Sequence, residues 1–378
     1  MKRRLALCPC PTWVAVMLSH CFCLGPGPAS AQVSNPAPAL DWHDIREFSI
    51  EGKGWSDTKD LYDRLPSRAE AIVRPPIWSL SRDSAGLCVR FVTDATNITA
   101  RWTLRKTQLA MPHMPATGVS GLDLYTKERD RWHWLGAGRP VNSPSEEKVL
   151  VQGLRPAKRE FALYLPLYNG VDEVKIGVPR GATVTTGPER RAAVKPIVFY
   201  GTSIVQGGCA SRPGMAYPAL LGRRLDWPTI NLGFSGNAQS EPEMARLLAE
   251  LDPAVYVLDP LPNMTAQGIA ERFEEFVLTL RRTHPRIPMV LIENLNFANR
   301  QFIPAVAARC DASNAKLREI HRNLVRAGQT RLFYVPASRL IGDDGEATVD
   351  GVHPTDLGFV RMADALEPVL RRALKSER

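Results

Sequence analysis

The feature that most restricts this chain is a regular alternation that begins at Pro196. Strand-like runs at 197–200, 229–232, 255–258, 289–292 and 332–335 are separated by helical stretches near 215–226, 241–251, 267–283, 303–327 and 357–374. Runs of about four apolar, β-branched residues read as strands buried on both faces. Their alternation with helices predicts a parallel sheet covered on both sides. In such sheets ligands bind beyond the carboxyl ends of the strands. The first run, Ile197-Val198-Phe199-Tyr200, breaks at Gly201 and is followed by Thr202 and Ser203. A serine at that edge is either a helix N-cap or an exposed nucleophile.

The pattern from about 45 to 185 is different. Leu87–Val92 and Ile98–Leu104 are short β-type runs, and Leu122–Lys127 and Arg131–Leu135 flank a Glu128-Arg129-Asp130 turn. Phe161–Leu167 and Glu173–Val178 flank Tyr168-Asn169-Gly170. Short strands at this spacing, without helical periodicity, predict an all-β sandwich or jelly-roll-like domain. Gly181–Pro188 reads as a linker into a second domain, 190–378. Ser240 and Glu243 have the spacing of a capping box at the start of a helix.

The N-terminus has its own logic. Lys2, Arg3 and Arg4 precede an apolar stretch through Trp13–Leu18, and Ala29-Ser30-Ala31 supplies an A-x-A cleavage site. This is the pattern of a secretory signal peptide over 1–31, too short and interrupted for a membrane span. Residues 32–44, with Pro36 and Pro38, read as a flexible leader. A secreted or periplasmic location and no membrane anchor after cleavage are the expectations. Cleavage reduces the net charge from +9 to +6, because it removes three basic and no acidic residues. The remaining excess is scattered and forms no basic stripe with aromatics, which argues against a nucleic-acid partner. Beyond the signal region only Cys88, Cys209 and Cys310 remain, too few and too far apart for a disulfide framework or a zinc motif. Buried free thiols are the default expectation, with a Cys209–Cys310 bridge as the alternative.

Four blocks fall at or after strand ends. Ser203 is in the first. Gly236 and Asn237 lie in the glycine-rich turn after the second strand, where a backbone N–H can face a ligand. Asn263 follows the third strand in Asp259-Pro260-Leu261-Pro262-Asn263, its backbone stiffened by two prolines. Asp350 and His353, three apart, precede the last helix; of seven histidines only His353 has this setting. A carboxylate beside an imidazole can hold its tautomer while the other ring nitrogen takes a proton from a hydroxyl. Serine, candidate oxyanion donors, aspartate and histidine in that order describe acyl transfer.

In that order the blocks resemble those of the SGNH (GDSL-type) hydrolases. Gly201-Thr202-Ser203 is similar to the family's first block, with Thr202 where aspartate is commonest. Gly236 and Asn263 match the second and third blocks, although Leu-Pro-Asn-Met replaces Gly-x-Asn-Asp, and Asp350 and His353 match the last. Gly121-Leu122-Asp123-Leu124-Tyr125 is similar to the Gly-x-Asp-Leu-Tyr signature of an N-terminal β-domain found before one branch of these esterases. Met111-Pro112-His113-Met114-Pro115 and the stretch Leu165–Gly170 also look like that branch.

The resemblance implies a flavodoxin-like three-layer parallel sheet preceded by the all-β domain. It implies a serine esterase with Ser203 as nucleophile, His353 as base oriented by Asp350, and an oxyanion hole of Ser203, Gly236 and Asn263. No cofactor or metal is expected. The implied substrate is a short acyl, acetyl-type ester on carbohydrate, since the chain shows no amphipathic lid for long acyl groups. Met111, His113 and Tyr168 are candidates for substrate contact. The alternatives are a carbohydrate-binding protein with a degenerate hydrolase domain, and acyltransferase or lipase use of the same triad.

Overall fold

The computed structural model describes residues 39–190 and 194–375, all within one compact unit. The signal segment 1–31 and residues 32–38 of the expected leader lie outside the described residues. Among the described residues, no helix is long and apolar enough to cross a membrane.

The first half is antiparallel. Its strands are β1 (Leu40–Asp44), β2 (Ile50–Glu51), β3 (Cys88–Thr93), β4 (Ile98–Leu104), β5 (Asp123–Glu128), β6 (Arg131–Ala137), β7 (Ser145–Val151), β8 (Arg159–Tyr164), β9 (Val171–Pro179) and β10 (Val184–Thr186). They form one sheet in the order β1-β9-β4-β7 and another in the order β10-β3-β8-β5-β6, with β2 added beside β3. Inward-facing side chains of both sheets, including Phe91, Phe161, Trp102, Leu124 and Ile176, make a shared core, as a sandwich requires.

The second half is the predicted parallel sheet. Strands β11 (Ile197–Gly201), β12 (Thr229–Gly233), β13 (Val255–Asp259), β14 (Met289–Ile292) and β15 (Leu332–Val335) lie in the order β12-β11-β13-β14-β15. Apart from the edge residues Thr229 and Leu332–Tyr334, these strands are buried throughout, which explains their mostly apolar composition. This is the 2-1-3-4-5 order of doubly wound folds, whose ligand crevice opens between the first and third strands. Here that crevice begins where Gly201 of β11 pairs with Asp259 of β13. The larger helices of this half, α4 (Tyr217–Leu225), α5 (Pro242–Ala249), α6 (Ala266–Thr283), α7 (Pro304–Arg326) and α8 (Asp356–Lys375), are numbered after the short α1 (Pro75–Ser81), α2 (Ala116–Val119) and α3 (Ser203–Gln206).

Several local expectations are corrected. Residues 40–44 of the expected leader form β1, paired with β9; Trp42 lies against the backbone of Gly177 and under the Arg101 guanidinium, 4.3 Å from its ring. The expected linker contains β10, hydrogen-bonded to β3. Strands β2 and β7 carry no strong alternation and are legible only through their partners. Ser240 caps nothing. The helix begins at Pro242 with Glu241 at its N-cap, and Ser240 has a left-handed φ of 57°. Pro242 forces the preceding residue out of the helical region, and the Glu241 carboxylate is drawn away to Arg74 and Tyr200. Cys88, Cys209 and Cys310 are all free and buried, so the Cys209–Cys310 bridge is not formed.

The two halves share their cores. Ala85, Met114, Val119 and Leu167 pack with Phe199, Tyr217 and Phe359 on one face of the parallel sheet. Trp55, Leu65, Ala69, Val73 and Ile77 pack with Tyr200, Phe234 and Met244 on the other.

Candidate active site

Strand β11 ends in a backbone packed too tightly for a side chain. A Cβ on Gly201 would stand 2.5 Å from the Asp259 carbonyl oxygen. Thr202 then takes the N-cap of α3 in extended conformation, its Oγ1 accepting from the Ile204 N–H at 3.2 Å. Ser203 is therefore the first helical residue rather than the cap, which corrects one of its two sequence readings. Its hydroxyl is left for another partner, and its N–H belongs to the first turn, which has no acceptor within the helix. Ser203 is only 6% exposed.

That partner is His353. Ser203 Oγ and His353 Nε2 are 2.8 Å apart, and His353 Nδ1 is 2.7 Å from Asp350 Oδ2. The Asp350–His353 contact is made on a loop, not on a helical turn. Asp350 Oδ1 accepts from the N–H groups of Val352 (3.0 Å) and His353 (2.8 Å), and Gly351 turns the chain with φ 90°. Partial burial opposes ionisation of Asp350, but these N–H donors and the His353 ring outweigh it and hold its carboxyl below the usual range. The carboxylate is thus fixed in its charged form, aimed at Nδ1.

Two further loops border the crevice. Gly236 has φ 69°, and a Cβ there would meet nothing within 4 Å, so the turn faces open space. Asn263 sits at the end of a short 3-10 turn, Leu261–Asn263, after β13. Its carboxamide is best satisfied with the oxygen accepting from the N–H groups of Asn237 (3.0 Å) and Ala238 (3.2 Å), which turns its NH2 to the opposite side as a donor. Asn263 and the Gly236 loop are in this way tied to each other, beside the strand end that leads to Ser203.

The residues that hold these loops carry no signal in the sequence. Gln206 of α3 accepts from the Ser235 N–H at 3.0 Å while donating to Asp83 and the Leu167 carbonyl. Arg64, about 1% exposed, donates to the carbonyls of Leu80, Asp83, Asn231 and Gly233 and lies 5.1 Å from the Phe234 ring centre. Arg74 grips Asn237 and Glu241. A buried arginine with only carbonyl partners has no sequence signature. Nor does a glutamine three residues past the serine.

The first half also reaches the site directly. Tyr168 donates to the Ser203 carbonyl at 3.3 Å, and the His113 ring centre is 5.6 Å from that of His353. Met111 packs at the edge of the adjoining core. Cys209 is next to this group, but burial and the nearby Asp350 charge push its thiol up to about 12, so it is no competing nucleophile. His113, Cys209 and His353 have ligand atoms within 4.8 Å of one another.

Comparison with known proteins agrees with this layout. The GDSL-like lipase/acylhydrolase family profile matches residues 194–371, and the profile of the N-terminus of SGNH-hydrolase-type esterases matches 40–184. No curated protein matches the chain. Among solved structures, a protein described as a GDSL-like lipase from Bacteroides ovatus ATCC 8483 has 34% identity and a TM-score of 0.84, over 89% of this chain and 98% of that one. The salicylyl-acyltransferase SsfX3 from a tetracycline biosynthetic pathway has 18% identity and a TM-score of 0.70, over 89% and 98%. A family two carbohydrate esterase from Clostridium thermocellum, solved with cellohexaose, has 15% identity and a TM-score of 0.55, over 78% and 96%. The last two are likenesses of fold. With both halves matched in order and one relative alike over nearly its whole length, the chain belongs to the SGNH, or GDSL-like, hydrolase family, in the branch that carries the Gly-x-Asp-Leu-Tyr N-terminal domain.

Proposed function

We propose that this chain is a secreted serine esterase that removes short acyl groups, acetyl above all, from carbohydrate esters. The observation that carries the reading is the unbroken chain of contacts from Ser203 Oγ to His353 Nε2 (2.8 Å) and from His353 Nδ1 to Asp350 (2.7 Å) at the crevice of a parallel sheet. Asp350 keeps the proton on Nδ1, so the Nε2 lone pair faces the hydroxyl. Ser203 attacks the ester carbonyl as Nε2 takes its proton. The developing oxyanion is held by the N–H groups of Ser203 and Gly236 and by the Asn263 NH2. His353 then protonates the leaving sugar hydroxyl and afterwards activates the water that releases the acid. Tyr168 beside Ser203, His113 beside His353, and Met111 in the same turn as His113 are the first-half residues we assign to substrate contact.

Carbohydrate as the substrate class rests on the carbohydrate esterase among the structural neighbours, and secretion rests on the leader pattern of 1–31. Ser203→Ala lowers turnover of an aryl acetate by about 10⁴-fold or more while the melting temperature is kept. Near-wild-type turnover in that variant removes the assignment. Acetate release from a panel of acetylated polysaccharides identifies the substrate, and release from none of them removes the carbohydrate reading. The likeness to an acyltransferase favours one second reading, transfer of the acyl group to an acceptor other than water. An assay with an aryl acetate and excess sugar acceptor separates the two by whether free acetate or acetylated sugar accumulates.

A further inference from the structure

Three side chains meet beside Ser203, and only one of them, His353, serves the esterase reaction. His113 is exposed, Cys209 is buried, His353 is half-buried, and their ligand atoms lie within 4.8 Å of one another. Each comes from a separately braced segment. His113 sits in a tight turn closed by two reciprocal hydrogen bonds between Met111 and Met114, both 3.0 Å. Cys209 has a left-handed φ of 73°, unusual for a residue with a side chain, and follows Gly207 and Gly208, whose N–H groups both bond to the Ser203 carbonyl. A Cβ on Gly208 would stand 3.2 Å from His353 Cδ2, so this backbone lies directly against the imidazole.

We propose that His113, Cys209 and His353 form a binding site for a thiophilic divalent cation of the zinc class, and that occupancy of this site switches the esterase off. Two imidazoles and one thiolate suit zinc and cadmium, which have no redox chemistry here, and reject magnesium and calcium, which require oxygen ligands. Three protein ligands leave a fourth position of the tetrahedron for water. On binding, the Cys209 thiol releases one proton to solvent and a metal–sulfur bond forms; nothing is oxidised or reduced. Inhibition follows from the ring chemistry of His353. If the metal takes Nε2, that lone pair no longer accepts the Ser203 proton. If it displaces Asp350 and takes Nδ1, the ring proton moves to Nε2, which then donates instead of accepting. Either way the base is lost.

The binding part of this proposal stands independently, whereas the inhibition part rests on the esterase reading. The test is calorimetric titration of zinc chloride into the chelator-treated mature chain, residues 32–378, which lacks the four cysteines of the signal segment, paired with zinc titration of aryl-acetate hydrolysis. The expected result is one equivalent bound, inhibition that EDTA reverses, and no binding of magnesium. Cys209→Ser, which removes the soft ligand but keeps the side-chain shape, weakens binding and inhibition together by about tenfold or more, with zinc-free kcat/KM within about twofold of wild type. His113→Ala weakens zinc binding in the same way, measured by calorimetry alone. Absence of binding, or equal zinc affinity in wild type and Cys209→Ser, overturns the site. Binding with undiminished hydrolysis overturns the inhibition. A zinc-free protein without hydrolytic activity defeats the esterase reading instead, and the calorimetry still decides the site.

Discussion

A shift of one residue decides what Ser203 is free to do. Because Thr202 takes the helix cap, the serine hydroxyl is spared that bond and reaches His353. Thr202 stands where the commonest family sequence has aspartate, and its hydroxyl caps as a carboxylate would, so the departure leaves the setting of Ser203 intact. Asn263 is held on its oxygen side by two N–H groups, which makes its NH2 a preorganised donor. Asn263→Ala is expected to lower kcat by about 10²–10³ with little change in KM. Steady-state kinetics on an aryl acetate check this, and a change confined to KM moves Asn263 to substrate binding. A second residue-scale prediction concerns Asp259, buried at the end of β13 with Tyr217 Oη 3.1 Å away. Burial pushes its carboxyl up to about 8, against 3.8 ordinarily, and the Tyr217 hydrogen bond only partly offsets this. Below pH ~4 both folded and unfolded chains carry the proton, and Asp259 costs nothing. As pH rises towards 8 the unfolded chain gives the proton up while the folded chain retains it, so stability falls through that window. Asp259→Asn removes the effect. Its melting temperature relative to wild type should rise between pH 5 and pH 8, and an equal difference at both pH values contradicts the prediction.

At the scale of elements, the strand ends are positioned by side chains that bond to backbone. Gln206 links the nucleophile's helix to the Ser235–Gly236 turn, and Arg64 and Arg74 hold the end of β12 and the loop after it from beneath. Gln206→Ala frees the Ser235 N–H and leaves the Ser203–His353 contact in place. Its expected cost is about 10–100-fold in kcat, because small misplacements of an oxyanion donor are costly. A fall in melting temperature with unchanged kcat would reduce Gln206 to a structural role. This division also explains what was legible in the sequence. The strands of the parallel sheet are legible because burial on both faces favours apolar residues, with Asn231 and Asp259 the buried exceptions. Ser203, Gly236, Asn263, Asp350 and His353 stood out because each falls at a strand end or before a helix, where chemistry is expected. Gln206, Arg64 and Arg74 did not, since their partners are carbonyls and N–H groups distant in sequence. β1 and β10 were hidden among prolines and polar residues, and their pairing is decided by β9 and β3 rather than by their own composition. The Ser240 capping box was legible but wrong: Pro242 moved the helix start.

At the scale of the molecule, the Gly-x-Asp-Leu-Tyr segment fastens the two halves together. Asp123 is fully buried on β5 and accepts from Arg212 Nη1, the Gly214 N–H and Trp134 Nε1, each at 2.8 Å. Tyr125 bonds Arg212 through its hydroxyl, and the Arg223 guanidinium lies 3.9 Å from its ring centre. Arg212 and Arg223 come from the hydrolase half, so the signature pairs a β-domain acid and aromatic with one arginine ahead of α4 and one within it. Burial pushes the Asp123 carboxyl up, and Arg212 works against that, so the ion pair depends on both partners being present. Removing one partner of such a buried pair costs roughly 3–5 kcal/mol, because the other is left charged and uncompensated. The shared cores point the same way: without residues 39–190, Tyr200, Phe234 and Met244 lose the cover of Trp55, Leu65 and Ile77, and Tyr217 and Phe359 lose that of Met114 and Leu167. Residues 194–378 expressed alone are therefore expected to aggregate or to lack a cooperative melt, and to be inactive. Arg212→Met in the full chain should lower the melting temperature markedly while the Ser203–His353 contact, and with it most of kcat, survives under conditions where the variant stays folded. A soluble fragment with full aryl-esterase turnover would show that the β-domain only accompanies the hydrolase. A variant that loses kcat without losing stability would put Arg212 in the reaction instead of in the joint.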